Sequence, residues 1–378
     1  ICTKCDITRA TVAKEEKPLN LLRLGMGAVA GGIGLLVYGA LVEAKRLVCE
    51  RRTLPLPGWP QRLDGLRIGH ISDLHLRDEY SLELAVRAAQ AVAQEAPHVV
   101  AITGDFVGYW KEESPWLIEQ ALSPLVKVGV PILAVPGNHD QAKGDDGVSR
   151  LAPHWRAQFA LPEHGPPGVE ETCYTLVYQG VRIVALDSNR QIEAQTRWLT
   201  EVLQANTARW VICTFHHPIF STAKARDNAA LRAAWKPVFD RFRVDLVLQG
   251  HDHTYGRTGL ETPPAKPSES TEPAAAAGRT AAPTGTVYVV SVSGPKMYPL
   301  QPSPLMKRTA ENTQLYQIIR VDGDTLRYEA RTAVGDLYDA FLLRKRPGEI
   351  NELVEQRPAA EAPSVAPRPG TVPARESQ

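Results

Sequence analysis

Apolar stretches rich in Val, Ile and Leu recur at residues 66–71, 99–103, 131–135, 210–215 and 244–248, each five or six residues long. Between them lie longer stretches, 82–95, 195–203 and 229–242, with the three- and four-residue spacing of an amphipathic helix. Near-continuous apolar strands alternating with helices predict β-α units around buried, mostly parallel strands. Further strands are predicted at 286–292, 315–321 and 325–332, the last two joined at Asp322-Gly323, a hairpin signal.

Each of the first five strands leads into a segment that is polar and chemically consistent with the others. The segments are Asp73-Leu74-His75, Gly104-Asp105, Gly137-Asn138-His139-Asp140, His216-His217-Pro218 and Gly250-His251-Asp252-His253. Asp, Asn and His supply oxygen and nitrogen donors suited to borderline divalent metals, and none of the five segments contains cysteine. Parallel strands point one way, so the loops at their carboxyl ends line one edge of the sheet, where open α/β folds bind ligands. The pattern therefore predicts a site for two metal ions at that edge.

Length and composition bound the rest. With 378 residues and 43% hydrophobic content the chain is large enough for one domain with a sizeable core and appendages. A net charge of +1 argues against a basic nucleic-acid-binding surface. The five cysteines, at 2, 5, 49, 173 and 213, are odd in number and scattered, so no disulfide framework can be inferred. Cys2 and Cys5 form a C-x-x-C pair without the second pair of a zinc site or the βαβ setting of a redox site.

Residues 24–42 carry no charge over roughly 19 positions, the length an α-helix needs to span a bilayer. A transmembrane anchor is the leading expectation, with a cleaved signal peptide or a buried soluble helix as alternatives. Gly27 and Gly31 give this span a G-x-x-x-G face. Lys14, Lys17 and Arg23 before it are balanced by Lys45, Arg46, Arg51 and Arg52 after it, so charge does not fix the orientation. Two segments rich in Pro and Ala, 261–283 and the tail, lack the apolar content of a core. The expected organisation is an N-terminal segment with its anchor at 1–53, a main domain at 54–345 interrupted at 261–283, and a disordered tail at 346–378.

Five of the ten histidines, His75, His139, His216, His251 and His253, fall just after predicted strands. In their order and spacing the five motifs resemble those of the calcineurin-like metallophosphoesterases, over residues 66–332. This resemblance implies a two-sheet α/β sandwich with helices outside both sheets. It implies one metal held by Asp73, His75 and His253, a second held by Asn138, His216 and His251, and Asp105 bridging the two. A hydroxide bridging the metals would be the nucleophile, and His139 would face the substrate as the catalytic side chain. Mixed nitrogen and oxygen ligation favours Mn, Fe or Zn over Ca. Asp140 and Asp252 are placed to support the ligand loops, and His217 either orients His216 or contacts substrate. His70, inside a strand, is expected to be packed in the core.

Two narrower resemblances divide the chain. Residues 195–255 are similar to purple acid phosphatases, which favours phosphomonoester hydrolysis, but those enzymes carry a metal-binding tyrosine three residues after the bridging aspartate. Here that position is Gly108, with Tyr109 next to it. The apolar span, Leu54-Pro55-Leu56-Pro57 and Leu63-Asp64-Gly65-Leu66-Arg67-Ile68 look like membrane-anchored bacterial metallophosphoesterases. The expected function is metal-dependent hydrolysis of a phosphate ester in a single-pass membrane protein with its catalytic domain outside the cytoplasm. A pyrophosphohydrolase of a nucleotide-linked lipid and a non-catalytic metal-binding scaffold are the alternatives. Oligomeric state is left open.

Overall fold

The strand Leu66–Ile71 lies at the centre of the fold, paired in parallel with Val99–Thr103, which pairs in parallel with Ile132–Val135. The computed structural model describes residues 65–356 except 109–110, 112–113, 154, 261–284, 333 and 347. On the other flank of Leu66–Ile71 the first sheet continues through Leu315–Asp322, Thr325–Thr332, Leu337–Arg344 and Glu352–Glu355, all antiparallel. A second sheet runs, in spatial order, Met306–Ala310, Tyr255–Thr258, Val287–Val290, Leu246–Gln249, Trp210–Thr214, Val181–Ala185 and Tyr174–Tyr178. Its four middle strands, Val287–Val290 to Val181–Ala185, are parallel.

Among the described residues each of these two sheets has seven strands, and the two pack face to face. Ile68, Ile319 and Tyr328 of the first sheet share one buried cluster with Ile212, Leu248 and Val289 of the second. Alternation along a strand sends the intervening residues outward. Val211, Cys213 and Val247 accordingly pack beneath Leu199, Leu203, Trp235 and Phe239 of the helices Ile192–Gln204 and Ala229–Phe242. The helices Glu79–Gln94 and Ser114–Lys127 supply Ala85, Ala89, Val92, Ile118 and Leu122 to the core at the first sheet. Gly69 permits this close approach, since a Cβ there would collide with Val92.

The expected sandwich with outer helices is therefore the observed architecture, with differences of detail. The first helix starts at Glu79 rather than 82 because Asp78 caps it, accepting a hydrogen bond from Ser81 N at 2.8 Å in a capping box. Ser114–Lys127 is helical although its sequence contains Pro115 and Pro124; Pro115 falls in the first turn, where no intrahelical N–H bond is lost. Mostly parallel pairing holds for the strands that precede the five motifs and for Val287–Val290, but not for Leu315–Asp322 to Glu352–Glu355, which pair antiparallel in succession. The turn at Asp322-Gly323 joins the first two of these, with Asp322 paired to Thr325.

The domain also extends past the expected boundary at 345. Glu352–Glu355 adds an edge strand within the segment expected to be a disordered tail. Charge holds it there: the buried Arg257 guanidinium reaches from the second sheet to Asp339 at 2.6 Å and to Glu355 at 2.8 Å. Among the described residues no helix is long and apolar enough to cross a membrane. The expected span at 24–42, the rest of the 1–53 segment, the 261–283 insertion and Tyr109 lie outside the described residues.

Candidate metal centre

The five motifs leave their strands at one edge of the sandwich, and hydrogen bonds between the loops fix their relative positions. Asp73 N donates to Gly104 O at 3.2 Å, and His75 N donates to Asp105 O at 2.9 Å. Across the second sheet Gly250 N donates to His216 O at 3.0 Å, and Ser293 N joins the halves by donating to Ser72 O at 2.9 Å. Gly137 and Gly250 sit where a side chain would strike the carboxylates of Asp105 and Asp73. The backbone closes tightly around both acids, and only glycine fits.

Five of the candidate ligands adopt left-handed backbone: Asp73 (φ 52°), His75 (47°), Asp105 (48°), His251 (73°) and His253 (50°). Asp and His tolerate this region better than most residues, yet each such position costs of order 1–3 kcal/mol. The strain turns the side chains inward at the strand ends. Asp73, His75, Asp105 and His253 bring one donor atom each to within 4.8 Å of one another, all buried. His253 Nε2 lies 3.4 Å from Asp73 Oδ1, and His75 Nε2 lies 3.4 Å from Asp105 Oδ2.

The same Asp105 Oδ2 is 3.3 Å from His216 Nε2, which is 3.1 Å from Asn138 Oδ1 and 3.2 Å from His251 Nδ1. Asp105 therefore stands between two donor groups, and the fold gathers all seven candidate ligands at one place. His217 falls in the same cluster as His216 and His251. Its Nδ1 is 2.8 Å from Ser188 Oγ, which also accepts from His217 N at 3.0 Å, so a serine outside the motifs sets the ring's orientation.

The donor set fits cations. His75 Nε2 and His253 Nε2 face each other at 2.8 Å, and the buried His253 Nδ1 has no hydrogen-bond partner among the described residues. Converging lone pairs are what a metal between the two Nε2 atoms would resolve. Electrostatics agree. Burial alone would raise the pKa of Asp105, but His216 and His75 hold it well below the usual carboxylate range. Burial opposes charge on His216 too, yet Asp105 outweighs it and lifts the imidazole to about 9. A proton between Asp105 and His216 stands where a cation would serve both.

Supporting residues fall into two sets. Asp140 accepts from Phe106 N at 2.9 Å and Gly137 N at 2.8 Å, tying two ligand loops together, and Asp252 accepts from Ser221 Oγ and Thr222 N, both at 2.7 Å. His216 Nδ1 sits 2.9 Å from Thr103 O, which leaves Nε2 for the site. His70 is buried, as expected, but it is also polar-wired: its ring meets Gln317 and Thr103, Thr103 Oγ1 bonds Ser72, and Ser72 bonds Asp73. No sequence motif carries that relay, because its members come from strands far apart in the chain.

The centre is open on one side. Asn138 is exposed and His139, His217 and His251 are half-buried, while Asp73, His75, Asp105, His216 and His253 are buried. His139 N donates to Asp105 Oδ1 at 2.8 Å, and its ring lies 4.9 Å from that of His75, edge to face. Burial lowers its pKa against the pull of Asp105, so it stands as a neutral N–H donor at the mouth. Gly108, at the position where purple acid phosphatases carry a tyrosine ligand, is buried and bonds through its N–H to Leu76 O at 3.0 Å.

Several known proteins are similar to this chain. An uncharacterized protein of Mycobacterium tuberculosis is 31% identical over 150 residues, which is 34% of this chain and 28% of the relative. A probable cyclic nucleotide phosphodiesterase of Synechococcus is 27% identical over 206 residues, 50% of this chain and 73% of the relative. The structure of a purple acid phosphatase from yellow lupin seeds superposes with a TM-score of 0.55 at 18% identity, over 76% of this chain and 55% of that one. The chain thus spans less than a third of the mycobacterial relative. The calcineurin-like phosphoesterase family matches residues 66–255, a stretch that contains all seven candidate ligands and His139. On that match, and on the sandwich that carries the ligands, the chain belongs to the calcineurin-like phosphoesterase family.

Proposed function

We propose that the chain hydrolyses phosphoesters with two divalent metals, Mn, Fe or Zn, one held by Asp73, His75 and His253 and the other by Asn138, His216 and His251, with Asp105 shared. The observation that carries this reading is the single Asp105 oxygen lying 3.4 Å from His75 Nε2 and 3.3 Å from His216 Nε2. Two cations bound there would supply Lewis acidity and activate water at neutral pH. The rest is the work of the chain. Thr103 O and the loop hydrogen bonds hold the ligand rings in place before any substrate arrives. His139, at the open face, donates its N–H to a phosphoryl or leaving-group oxygen. The buried ligands Asp73, His75 and His253 form a floor, and the half-exposed His139, His217 and His251 line the side from which an ester enters.

Relatives named as a phosphodiesterase and as a purple acid phosphatase support phosphodiesters and phosphomonoesters as candidate substrates. The uncharged span at 24–42 supports a membrane-anchored protein. The test is to strip the full chain of metal, reload it with Mn, Fe or Zn, and measure turnover of 4-nitrophenyl phosphate and bis(4-nitrophenyl) phosphate beside elemental analysis. Turnover that rises with the second metal equivalent is expected. A chain with two metals bound that turns over neither of these esters nor a diphosphate diester would favour the scaffold reading instead, and turnover of the diphosphate alone would favour the pyrophosphohydrolase.

A further inference from the structure

Two cations beside the centre take no part in ligation. Arg226 and Lys296 are half-buried, and neither forms an ion pair with a carboxylate among the described residues. Both lie against the ring of Tyr298, the Arg226 guanidinium carbon 4.5 Å and the Lys296 ammonium 5.3 Å from its centroid. Tyr298 in turn stacks on the candidate ligand His253, with centroids 4.5 Å apart and planes within 18°. One aromatic ring thus holds two cationic side chains next to the metal-binding side chains.

This cluster is built, not incidental. The segment carrying Arg226 is joined to the one carrying Tyr298 by Lys224 N to Pro299 O at 3.1 Å, by Gln301 N to Thr222 O at 2.8 Å, and by an antiparallel bridge between Ala223 and Leu300. Asp252, between the ligands His251 and His253, accepts from Ser221 and Thr222 and so fastens the same segment to the centre. Tyr298 N donates to His253 O at 3.3 Å.

Arg226 also makes a contact that a loaded centre would not keep. Its Nη1 lies 2.6 Å from His251 Nε2. A guanidinium can only donate, so His251 Nε2 accepts and the ring proton sits on Nδ1, the nitrogen that faces His216. To offer Nδ1 to a metal, His251 must move that proton to Nε2, and two donors would then face each other. Arg226 must turn away.

We propose that Arg226, Tyr298 and Lys296 form a subsite for a second phosphate of the substrate, joined to the one being hydrolysed, and that metal binding releases Arg226 from His251 to serve it. The proposal rests on the hydrolase reading above and narrows it to diphosphates. The seven ligands would hold two metals, and with His139 these would serve the scissile phosphoryl group. A further pair of cations, held on one tyrosine that stacks on the ligand His253, matches a charge one phosphate removed. Guanidinium geometry suits bidentate phosphate contact, and the ammonium adds a point charge.

Equilibrium binding to the metal-loaded full chain tests this with two non-hydrolysable probes, methylenediphosphonate and methylphosphonate. The diphosphonate should bind at least about tenfold tighter, and the preference should collapse toward one in Arg226→Gln with Lys296→Gln. Arg226→Lys, which keeps the charge but not the fork, should restore part of it. Separately, Arg226→Gln should bind its metals more tightly, by about tenfold, because the competing hydrogen bond is gone. Equal loss of both probes, or a preference untouched by the double change, would overturn the subsite. Unchanged or weaker metal affinity in Arg226→Gln would overturn the release. The hydrolase reading fails differently: a wild-type chain that binds neither metal, or that binds both and turns over neither a phosphate ester nor a diphosphate.

Discussion

Replacing Asp105 by Asn removes one negative charge with almost no change of shape, and the structure allows its effect to be followed atom by atom. Asn tolerates the left-handed backbone at this position (φ 48°), so the turn should persist. The amide oxygen can still accept from His139 N, as Oδ1 does now at 2.8 Å. What changes is Oδ2, which faces His75 Nε2 at 3.4 Å and His216 Nε2 at 3.3 Å. An amide NH₂ there offers protons to both candidate metal positions instead of a shared anion. Losing one partner of a buried charge interaction costs about 3–5 kcal/mol, or two to three and a half decades in affinity for the metal that depends on it. Asp105→Asn should therefore retain wild-type circular dichroism, hold at most one metal per chain by elemental analysis after dialysis, and lose turnover in step. Retention of two tightly bound metals would refute the placing of Asp105 between them.

His139→Ala spares every ligand, so it should keep both metals while turnover falls about 100-fold or more, read by steady-state kinetics on the variant whose metal content has been measured. His70 is buried and its pKa is lowered to about 4 by burial, against 6.5 when unfolded. Its contribution to stability is thus present above pH 6.5 and lost as pH falls toward 4; in urea unfolding of the metal-free chain the loss across that window should be smaller by about 3 kcal/mol in His70→Gln than in the wild type. Asp339→Ala leaves Arg257 buried with Glu355 as its one carboxylate partner among the described residues, and should cost about 3–5 kcal/mol in thermal or urea unfolding, whereas an unchanged midpoint would contradict the sheet-bridging role given to Arg257. The uncharged span at 24–42 predicts that the full chain stays with membranes through an alkaline wash; release into the supernatant would count against an integral anchor.

Much of the site is legible in the sequence because its chemistry is local. Asp73 and His75, or His251 and His253, lie two residues apart after apolar strands, and near-continuous apolar runs alternating with helix-like stretches mark those strands. Parallel pairing then carries all five motifs to one edge. The parts that escape such a reading are those made by distant residues meeting. Ser188 reaches His217 from another loop, and the His70, Thr103, Ser72 relay is assembled across strands. Arg226, Lys296 and Tyr298 lie in loops with no periodicity, where only three-dimensional structure shows them converging. The edge strand at Glu352–Glu355 is hidden for a related reason, since its place depends on Arg257, almost a hundred residues earlier.

The central claim is that seven side chains hold two metals around one shared carboxylate and that this pair hydrolyses phosphoesters. Anomalous diffraction from crystals of the Mn-loaded protein tests it most directly, beside turnover of the same preparation. Two peaks are expected, one ringed by Asp73, His75 and His253 and the other by Asn138, His216 and His251, each in contact with Asp105, in a protein that cleaves a phosphate ester. A single peak elsewhere, or ester cleavage that survives complete removal of metal, would contradict the account.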